Sequence, residues 1–158
     1  MRITLDLPVG LPPIVGDAEL LQQLFLNLVT NAIDASPPGR VIWIFTGEAP
    51  RLPAEGRAGI LRGKADAPSL AVHILDAGSG LSPEQLPRIF EPFFSSKGSS
   101  KGTGLGLAIV EEIMRAHRAE IEILSIPEQG TEVIVRLPLA TDATALSLQP
   151  APEGTPHA

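Results

Sequence analysis

The sequence contains no cysteine, which excludes disulfide bonds and metal sites built on thiolates. It lacks an apolar run near the ~20 residues that cross a bilayer, and its first residues lack a signal-peptide pattern. Basic residues are few: 12 Lys and Arg against 18 Asp and Glu give a net charge of −6, whereas nonspecific nucleic-acid binding needs a basic face. We therefore expect a cytoplasmic, soluble domain that contacts neither nucleic acid nor membrane directly and is a monomer in isolation.

The first half of the 158-residue chain has clear periodic patterns. Alternating apolar residues in "RITLDLP", residues 2–8, predict a half-buried strand that includes Ile3 and Leu5. Residues 18–36 have the apolar spacing of an amphipathic helix, and Asp17 precedes them as a candidate cap. Nearly continuous apolar runs at 40–46 and 69–76 predict central strands of a sheet covered by helices.

Loops and shorter elements make up much of the second half. Residues 47–68 have no sustained period, and we interpret them as a mobile hairpin loop. Residues 77–103 form a second loop region with a short helical piece at "SPEQLPRIF", followed by a helix to about His117 and antiparallel strands at 119–126 and 131–139. The polar, Ala/Pro/Thr-rich residues 140–158 predict a disordered tail, which leaves residues 1–139 as the folded domain.

The order of these elements indicates the fold class. Strand, helix, two strands, loop, helix and two strands do not alternate as in a doubly wound parallel sheet. We therefore predict an α/β (α+β) two-layer sandwich, in which a mixed β-sheet has its helices packed on one face.

The first predicted helix has a stripe of polar residues beside its apolar face. Gln23, Asn27, Asn31 and Asp34 follow one another at steps of four, four and three residues. One interpretation is a solvated edge or a set of side-chain hydrogen bonds to a neighbouring loop. The other is a site for Mg²⁺, which uses one or two protein oxygens together with substrate phosphates.

A carboxylate stands at the end of a predicted buried strand in the segment "LDAGSG". Burying the charge of Asp76 is costly unless a donor such as the amino group of a base binds it. Gly78 and Gly80 would let a planar ring approach the backbone. An Asp-Gly turn is the alternative, because this pattern alone is a weak signal.

Glycines and lysines precede the second helix in "KGSSKGTGLGLAIV". Gly102, Gly104 and Gly106 come directly before it, so backbone N–H groups and the positive end of the helix dipole can face an anion, and Lys97 and Lys101 add charge. The spacing matches neither the dinucleotide fingerprint nor the P-loop. A surface linker or a simple turn remains possible, and phosphate is the best candidate ligand.

Taken together, these segments resemble a known family. "NLVTNAIDA", "DAGSG", "RIFEPFFSSKGSSKGTGLGLAIV" and "GTEVIVRLPL" resemble, in this order, the N, G1, F and G2 boxes of the GHKL ATP-binding superfamily. The chain looks most like the catalytic ATP-binding domain of bacterial two-component sensor histidine kinases, over residues 2–139. The resemblance implies the Bergerat fold, ATP and Mg²⁺ as ligands, and transfer of the γ-phosphoryl group to a histidine on a separate dimeric helical domain, with a response regulator downstream.

The resemblance also implies roles for single residues at the phosphate end. Asn31 would coordinate Mg²⁺, Asn27 would lie close to the same ion or the γ-phosphate, and Asn27 and Lys97 are the catalytic candidates. Asp34 stands where many relatives have a basic or neutral residue, so we expect no phosphate contact from it. The phosphates would be held by Lys97, Gly102, Thr103, Gly104, Leu105 and Gly106.

At the adenine end, Asp76 would accept a hydrogen bond from the adenine amino group, and Thr131 would assist through water. Gly78 and Gly80 would shape the pocket. A flexible lid over residues 91–103 would be anchored by three aromatic residues: Phe90, Phe93 and Phe94.

Two other functions stay open at this point. GHKL ATPases such as those of topoisomerases, chaperones and mismatch-repair proteins have a glutamate where Asn27 stands, and an amide cannot remove a proton from water. A free-standing regulator, either an anti-sigma-like serine kinase or a nucleotide-dependent binding module, also fits the chain length. None of the histidines suits a phosphoacceptor: His73 lies in an apolar strand, His117 ends a helix where a cation suits the dipole, and His157 is in the tail.

Overall fold

The computed structural model describes residues 2–65, 68–95 and 103–141. Within these ranges the chain forms six strands, two α-helices and a short 3₁₀ turn. None of the helices in the described ranges is both long and apolar enough to span a bilayer. The elements are β1 (Arg2–Asp6), α1 (Ala18–Ala35), β2 (Val41–Thr46), β3 (Ala58–Gly63), β4 (Ser69–Asp76), the 3₁₀ turn (Leu86–Arg88), α2 (Gly106–Ala116), β5 (Glu120–Ile126) and β6 (Gly130–Pro138).

The six strands form one mixed sheet in the order β1-β2-β4-β6-β5-β3. β1 pairs with β2 in parallel, and the other neighbouring strands are antiparallel. The two helices contact each other, and both pack on the same face of the sheet. The predicted two-layer sandwich with a mixed sheet is confirmed. The predicted tail, residues 140–158, lies outside the described residues from 142 onward.

The main core fills the space between the helices and the inner face of the sheet. Apolar residues on α1 and α2 meet alternate residues of the central strands, as expected for helical and strand periodicities. The side chains buried here are nearly all aliphatic, so the layer is stabilised by burial of apolar surface. Its members include Leu24, Leu28, Ile42, Ile74, Val110, Ile113, Ile121, Ile123, Val135 and Leu137.

Hydrogen bonds join the N-terminal end of α1 to the C-terminal end of α2. The sequence predicted only the cap on α1. Asp17 caps α1 as predicted: its Oδ1 accepts from the backbone N–H of Glu19 and Leu20 at 2.9 and 3.0 Å. The N–H of Asp17 in turn donates to Nε2 of His117, at 3.0 Å. Nδ1 of His117 lies 2.7 Å from the carbonyl oxygen of Ile113. The imidazole of His117 therefore links the C-terminal end of α2 to the residue that caps α1.

The prediction for β1 is wrong about burial. Ile3 and Leu5 do stand beside Ile42 and Ile44, on the inner face of the sheet. They remain 43% and 63% exposed, because β1 is the edge strand and α1 packs over β4 farther in. Alternation identifies which side chains share a face, but it does not reveal whether a helix covers that face.

The prediction of a mobile loop at 47–68 is also wrong. Residues 47–57, here called the outer segment, cross the face of the sheet that faces away from the helices, which we call the outer face. Leu52 of this segment is buried against Leu124, Ile126 and Ile134. The chain then forms β3, which pairs with β5 at the edge opposite β1. The connection is long because β2 lies near one edge of the sheet and β3 at the other.

Candidate functional site

The predicted amide stripe of α1 lies against the start of α2. A Cβ atom built on Gly106, the first residue of α2, would be 3.4 Å from Oδ1 of Asn27, and 3.7 and 3.8 Å from Oδ1 and Nδ2 of Asn31. Nδ2 of Asn27 donates to the carbonyl oxygen of Gln23 at 3.0 Å. Glycine at position 106 therefore leaves space between two amide side chains and a helix N-terminus.

The N-terminus of α2 has no capping side chain. Leu105 is its N-cap residue and makes no side-chain hydrogen bond to the helix. The first backbone N–H groups of an α-helix have no partner within the helix, and they carry the positive end of its dipole. This end of α2 is therefore suited to an anionic ligand beside the amide oxygens of α1.

The predicted strand-end carboxylate lies beside the C-terminal end of α1. Asp76 ends β4 and is 5% exposed. The N–H of Gly78 donates to its Oδ1 at 2.8 Å. A Cβ atom on Gly78 would lie only 2.5 Å from the carbonyl oxygen of Ala35, the last residue of α1. Glycine is therefore required for this turn to pack on α1, and one edge of α1 leads from the start of α2 to the Asp76 turn.

A serine for which the sequence predicted no role makes several hydrogen bonds in the region around Asp76. Thr131 stands opposite Asp76 in the β4–β6 ladder, and its hydroxyl oxygen is 2.9 Å from that of Ser125. The fully buried Ser125 hydroxyl donates to the carbonyl oxygen of Gly130 at 3.0 Å and accepts from the N–H of Leu81 at 2.8 Å. Its one hydrogen is thus used, so Thr131 is the donor in the pair. The signal in the sequence is a lone serine in the apolar strand "EIEILSI".

Gly80 has a backbone role beside this turn. Its φ is +65°, and a Cβ atom there would collide with the carbonyl oxygen of Ile126. The residue lets the loop after β4 lie against the end of β5, which brings Leu81 within reach of Ser125.

The predicted lid anchors behave differently from one another. Phe90 is buried and Phe94 half-buried against the core, whereas the side chain of Phe93 is 76% exposed. The N–H of Phe93 donates to the carbonyl oxygen of Gly104 at 2.9 Å. Both residues have positive φ, 66° and 69°, and a Cβ atom on Gly104 would lie 2.6 Å from the backbone of Phe93. Of the other predicted phosphate ligands, Thr103 is exposed, and Lys97 and Gly102 lie outside the described residues.

A second buried charged group lies directly behind this region, on the outer face. Oε1 of Glu132 is 2.8 Å from Nδ1 of His73 and accepts from the N–H of Arg51 at 3.1 Å, and Oε2 accepts from the N–H of Leu52 at 2.6 Å. Burial alone raises the pKa of Glu132, but the hydrogen bond from His73 and the two backbone N–H groups outweigh it and hold the pKa below its ordinary value. The pair thus fastens the outer segment to β4 and β6.

Amide side chains, a helix N-terminus without a capping side chain and a strand-end carboxylate thus lie along one helix, an arrangement suited to a ligand that carries an anionic group. Residues 16–141 match the family of histidine kinase-, DNA gyrase B- and HSP90-like ATPases. The chain belongs to this family.

Known sensor kinases are similar to this chain over most of its length. It is 35% identical over 128 residues to sporulation kinase C of Bacillus subtilis, an alignment that covers 81% of this chain and 26% of that protein. It is 34% identical over 134 residues to the signal transduction histidine-protein kinase AtoS of Escherichia coli, covering 85% of this chain and 19% of AtoS. The chain thus spans about a quarter of these relatives or less, and it corresponds to one part of each.

Solved structures agree with this assignment. The mycobacterial sensor histidine kinase MprB superposes with a TM-score of 0.64 and 26% identity, covering 87% of this chain and 82% of that one. Full-length ShkA in complex with AMPPNP superposes with a TM-score of 0.66 and 26% identity, covering 89% of this chain and 26% of ShkA. The chain is an ATP-binding catalytic domain of the sensor histidine kinase type.

Proposed function

We propose that this domain binds ATP with Mg²⁺ and transfers the γ-phosphoryl group to a histidine on a separate dimeric helical domain, from which a response regulator then receives it. The observation that carries the proposal is the convergence of the predicted groups on α1. Asn27 and Asn31 face Gly106 from the second half of α1, and Gly78 brings Asp76 to its last residue, Ala35. If each group had only a structural role of its own, nothing would require all of them to lie along one edge of α1.

At the adenine end, Asp76 would accept from the amino group of the base. The carboxylate is nearly buried, and burying a charge is favourable only where donors surround it. Thr131, whose hydrogen is directed to Ser125, has oxygen lone pairs left that can accept from a water bound beside the base. Gly78 and Gly80 would keep this region free of side chains.

The residues present fit Mg²⁺ as a ligand shared with the phosphates. Within the described ranges, no group of three or more His, Cys, Asp or Glu residues is arranged to hold a metal ion by itself. Mg²⁺ commonly binds through one or two protein oxygens and substrate phosphates, and the amide groups of Asn27 and Asn31, which can each offer an oxygen, both lie beside Gly106. When bound there, the ion would supply charge neutralisation for phosphoryl transfer.

The phosphates would bind at the N-terminus of α2. Its free N–H groups at Leu105 and Gly106 are donors that need no rearrangement, and such preorganised donors are effective in stabilising developing charge. The proposed contacts from Lys97, Gly102 and Thr103 would add to them.

Transfer to a partner is favoured over hydrolysis and over self-phosphorylation. Asn27 is an amide and cannot act as the general base that would activate water. Of the histidines in the described ranges, His73 is fully buried between Glu132 and the carbonyl oxygen of Gly47, and both ring nitrogens of His117 are used by helix ends. Neither histidine is therefore available to accept the phosphoryl group.

The test is a transfer reaction to a partner domain. The chain is mixed with ATP, Mg²⁺ and the dimeric helical domain of a similar sensor kinase, whose own catalytic domain serves as the positive control. We expect acid-labile, base-stable phosphohistidine in the helical domain, and its loss in Asn31→Ala. Phosphoserine in an added protein would indicate the regulator instead, and steady phosphate release by the chain alone would indicate an ATPase.

A further inference from the structure

The outer face of the sheet has a cavity of about 430 Å³, whose lining the proposed function uses only at Asp76. It lies between the outer segment and strands β2 and β4, with Trp43, Pro53 and Leu75 among its walls. Its inner end reaches Asp76 and Ala77, where β4 ends. The volume is in the range of pockets that bind small molecules.

Part of the wall of this cavity is apolar. Trp43 and Leu75 are cross-strand partners in the β2–β4 ladder, so their side chains lie side by side on the outer face. Trp43 is 39% exposed, which is unusual for the one tryptophan of a small domain. Leu52 and Pro53 face them from the outer segment. Such walls suit a flat ring or an aliphatic chain.

Arg40 and Arg51 are the basic residues among the walls, which also include the acidic Asp76. Nη2 of Arg51 is 2.6 Å from Oδ2 of Asp6, and its guanidinium carbon lies 3.7 Å from the centre of the Phe45 ring. Arg51 is therefore already paired. Arg40 also lines the cavity, and within the described ranges it forms no ion pair with an acidic side chain. An anion would bind at Arg40.

The cavity is preformed because hydrogen bonds to buried side chains hold the outer segment, which forms one of its walls. Glu132 holds the backbone N–H groups of Arg51 and Leu52, and His73 lies between Glu132 and the carbonyl oxygen of Gly47. A wall that is already ordered costs little entropy when a ligand binds.

We propose that this cavity is an effector site for a small amphiphilic anion. The apolar body of the ligand lies against Trp43, Leu75 and Pro53, and its carboxylate, sulfonate or phosphate group binds Arg40. Because the cavity and the proposed adenine site share the end of β4, occupancy of the cavity changes nucleotide affinity. The effect on nucleotide affinity rests on the proposed function, whereas binding of the anion in the cavity does not.

Trp43 makes binding directly measurable. Anilinonaphthalene sulfonate is an amphiphilic anion that accepts energy from indole, and Trp43 is the only tryptophan in the chain. We expect saturable one-to-one energy transfer that Arg40→Ala weakens by roughly tenfold, the loss of one charge-assisted hydrogen bond. Arg115→Ala, an exposed arginine on α2, is the matched control and should leave it unchanged. Equal weakening by both variants, or transfer that does not saturate, would overturn the site.

The nucleotide distinguishes this cavity from the ATP site. As ATP with Mg²⁺ is added to saturation, energy transfer from Trp43 should level off at a value that still reports bound probe. Complete competitive displacement would place the probe in the nucleotide site and overturn the proposal. Calorimetry should show the nucleotide dissociation constant shifted by at least about fivefold when the probe is bound, and not in Arg40→Ala. An unchanged constant would overturn the effector role. If the chain binds no ATP at all, the proposed function fails, while the fluorescence titration still tests the cavity.

Discussion

Asp76 and Glu132 are both buried carboxylates on neighbouring strands, and they lie on opposite faces of the sheet. Glu132 stands inside β6, is fully buried, and accepts three hydrogen bonds from the ring of His73 and two backbone N–H groups. Asp76 stands at the end of β4, where the adjoining turn contributes the N–H of Gly78. Burial of charge alone thus does not mark a ligand site.

Position along the strand separates the structural role of Glu132 from the role that we propose for Asp76. A carboxylate in mid-strand under a covering segment is surrounded by protein donors, and its charge stabilises the fold only while these donors stay in place. A carboxylate at a strand end next to glycines lies where a turn, and not a covering segment, forms its surroundings, and this is the place of the proposed adenine contact. We therefore expect substitutions of Glu132 to act on stability and substitutions of Asp76 to act on nucleotide binding.

The largest expected effect is on Glu132. Glu132→Ala leaves His73 buried without its carboxylate and releases two backbone N–H groups of the outer segment, and breaking a buried pair by removing one partner costs about 3–5 kcal/mol. Denaturant unfolding followed by circular dichroism measures the loss.

The double variant Glu132→Leu with His73→Leu is the control, because replacing both members of a buried pair by apolar residues is often neutral. We expect it to be more stable than Glu132→Ala. If Glu132→Ala loses less than about 1 kcal/mol, the pair does not fasten the outer segment.

The second-largest expected effect is on nucleotide affinity and follows from substitution of Asp76. Asp76→Asn keeps the size of the side chain but removes the charge, so nucleotide affinity should fall by more than tenfold, corresponding to the loss of one charge-assisted hydrogen bond worth about 1.5–3 kcal/mol. Isothermal titration calorimetry with ATP and Mg²⁺ measures it. Unchanged affinity in a folded variant would refute the adenine contact, and the distinction between the two carboxylates with it.

The sequence predicted the inner half of the molecule better than the outer half. Helical and strand periodicities, together with the glycine positions, located α1, α2, β4 and the residues that meet at Gly106 and Gly78. They did not reveal that residues 47–57 cover the outer face, since that segment has no period and is held mainly by backbone hydrogen bonds to Glu132. Ser125 was missed for a similar reason: its role depends on Leu81 and Thr131, which come close only in the folded sheet.

The smallest expected effect is the pH dependence of stability. The pKa of Glu132 is held below its ordinary value of 4.5, so its ionised form binds protons less readily in the folded chain than in the unfolded one. The resulting stabilisation is fully present above the unfolded pKa and is lost as the pH falls through the folded pKa. Unfolding free energy measured from pH 7 downward should therefore fall more steeply below about pH 4.5 in the natural chain than in Glu132→Gln, which has no carboxylate to protonate at this position. Parallel curves for the two proteins would mean that the hydrogen bonds from His73, Arg51 and Leu52 do not favour the charged form, and the contrast with Asp76 would then rest on geometry alone.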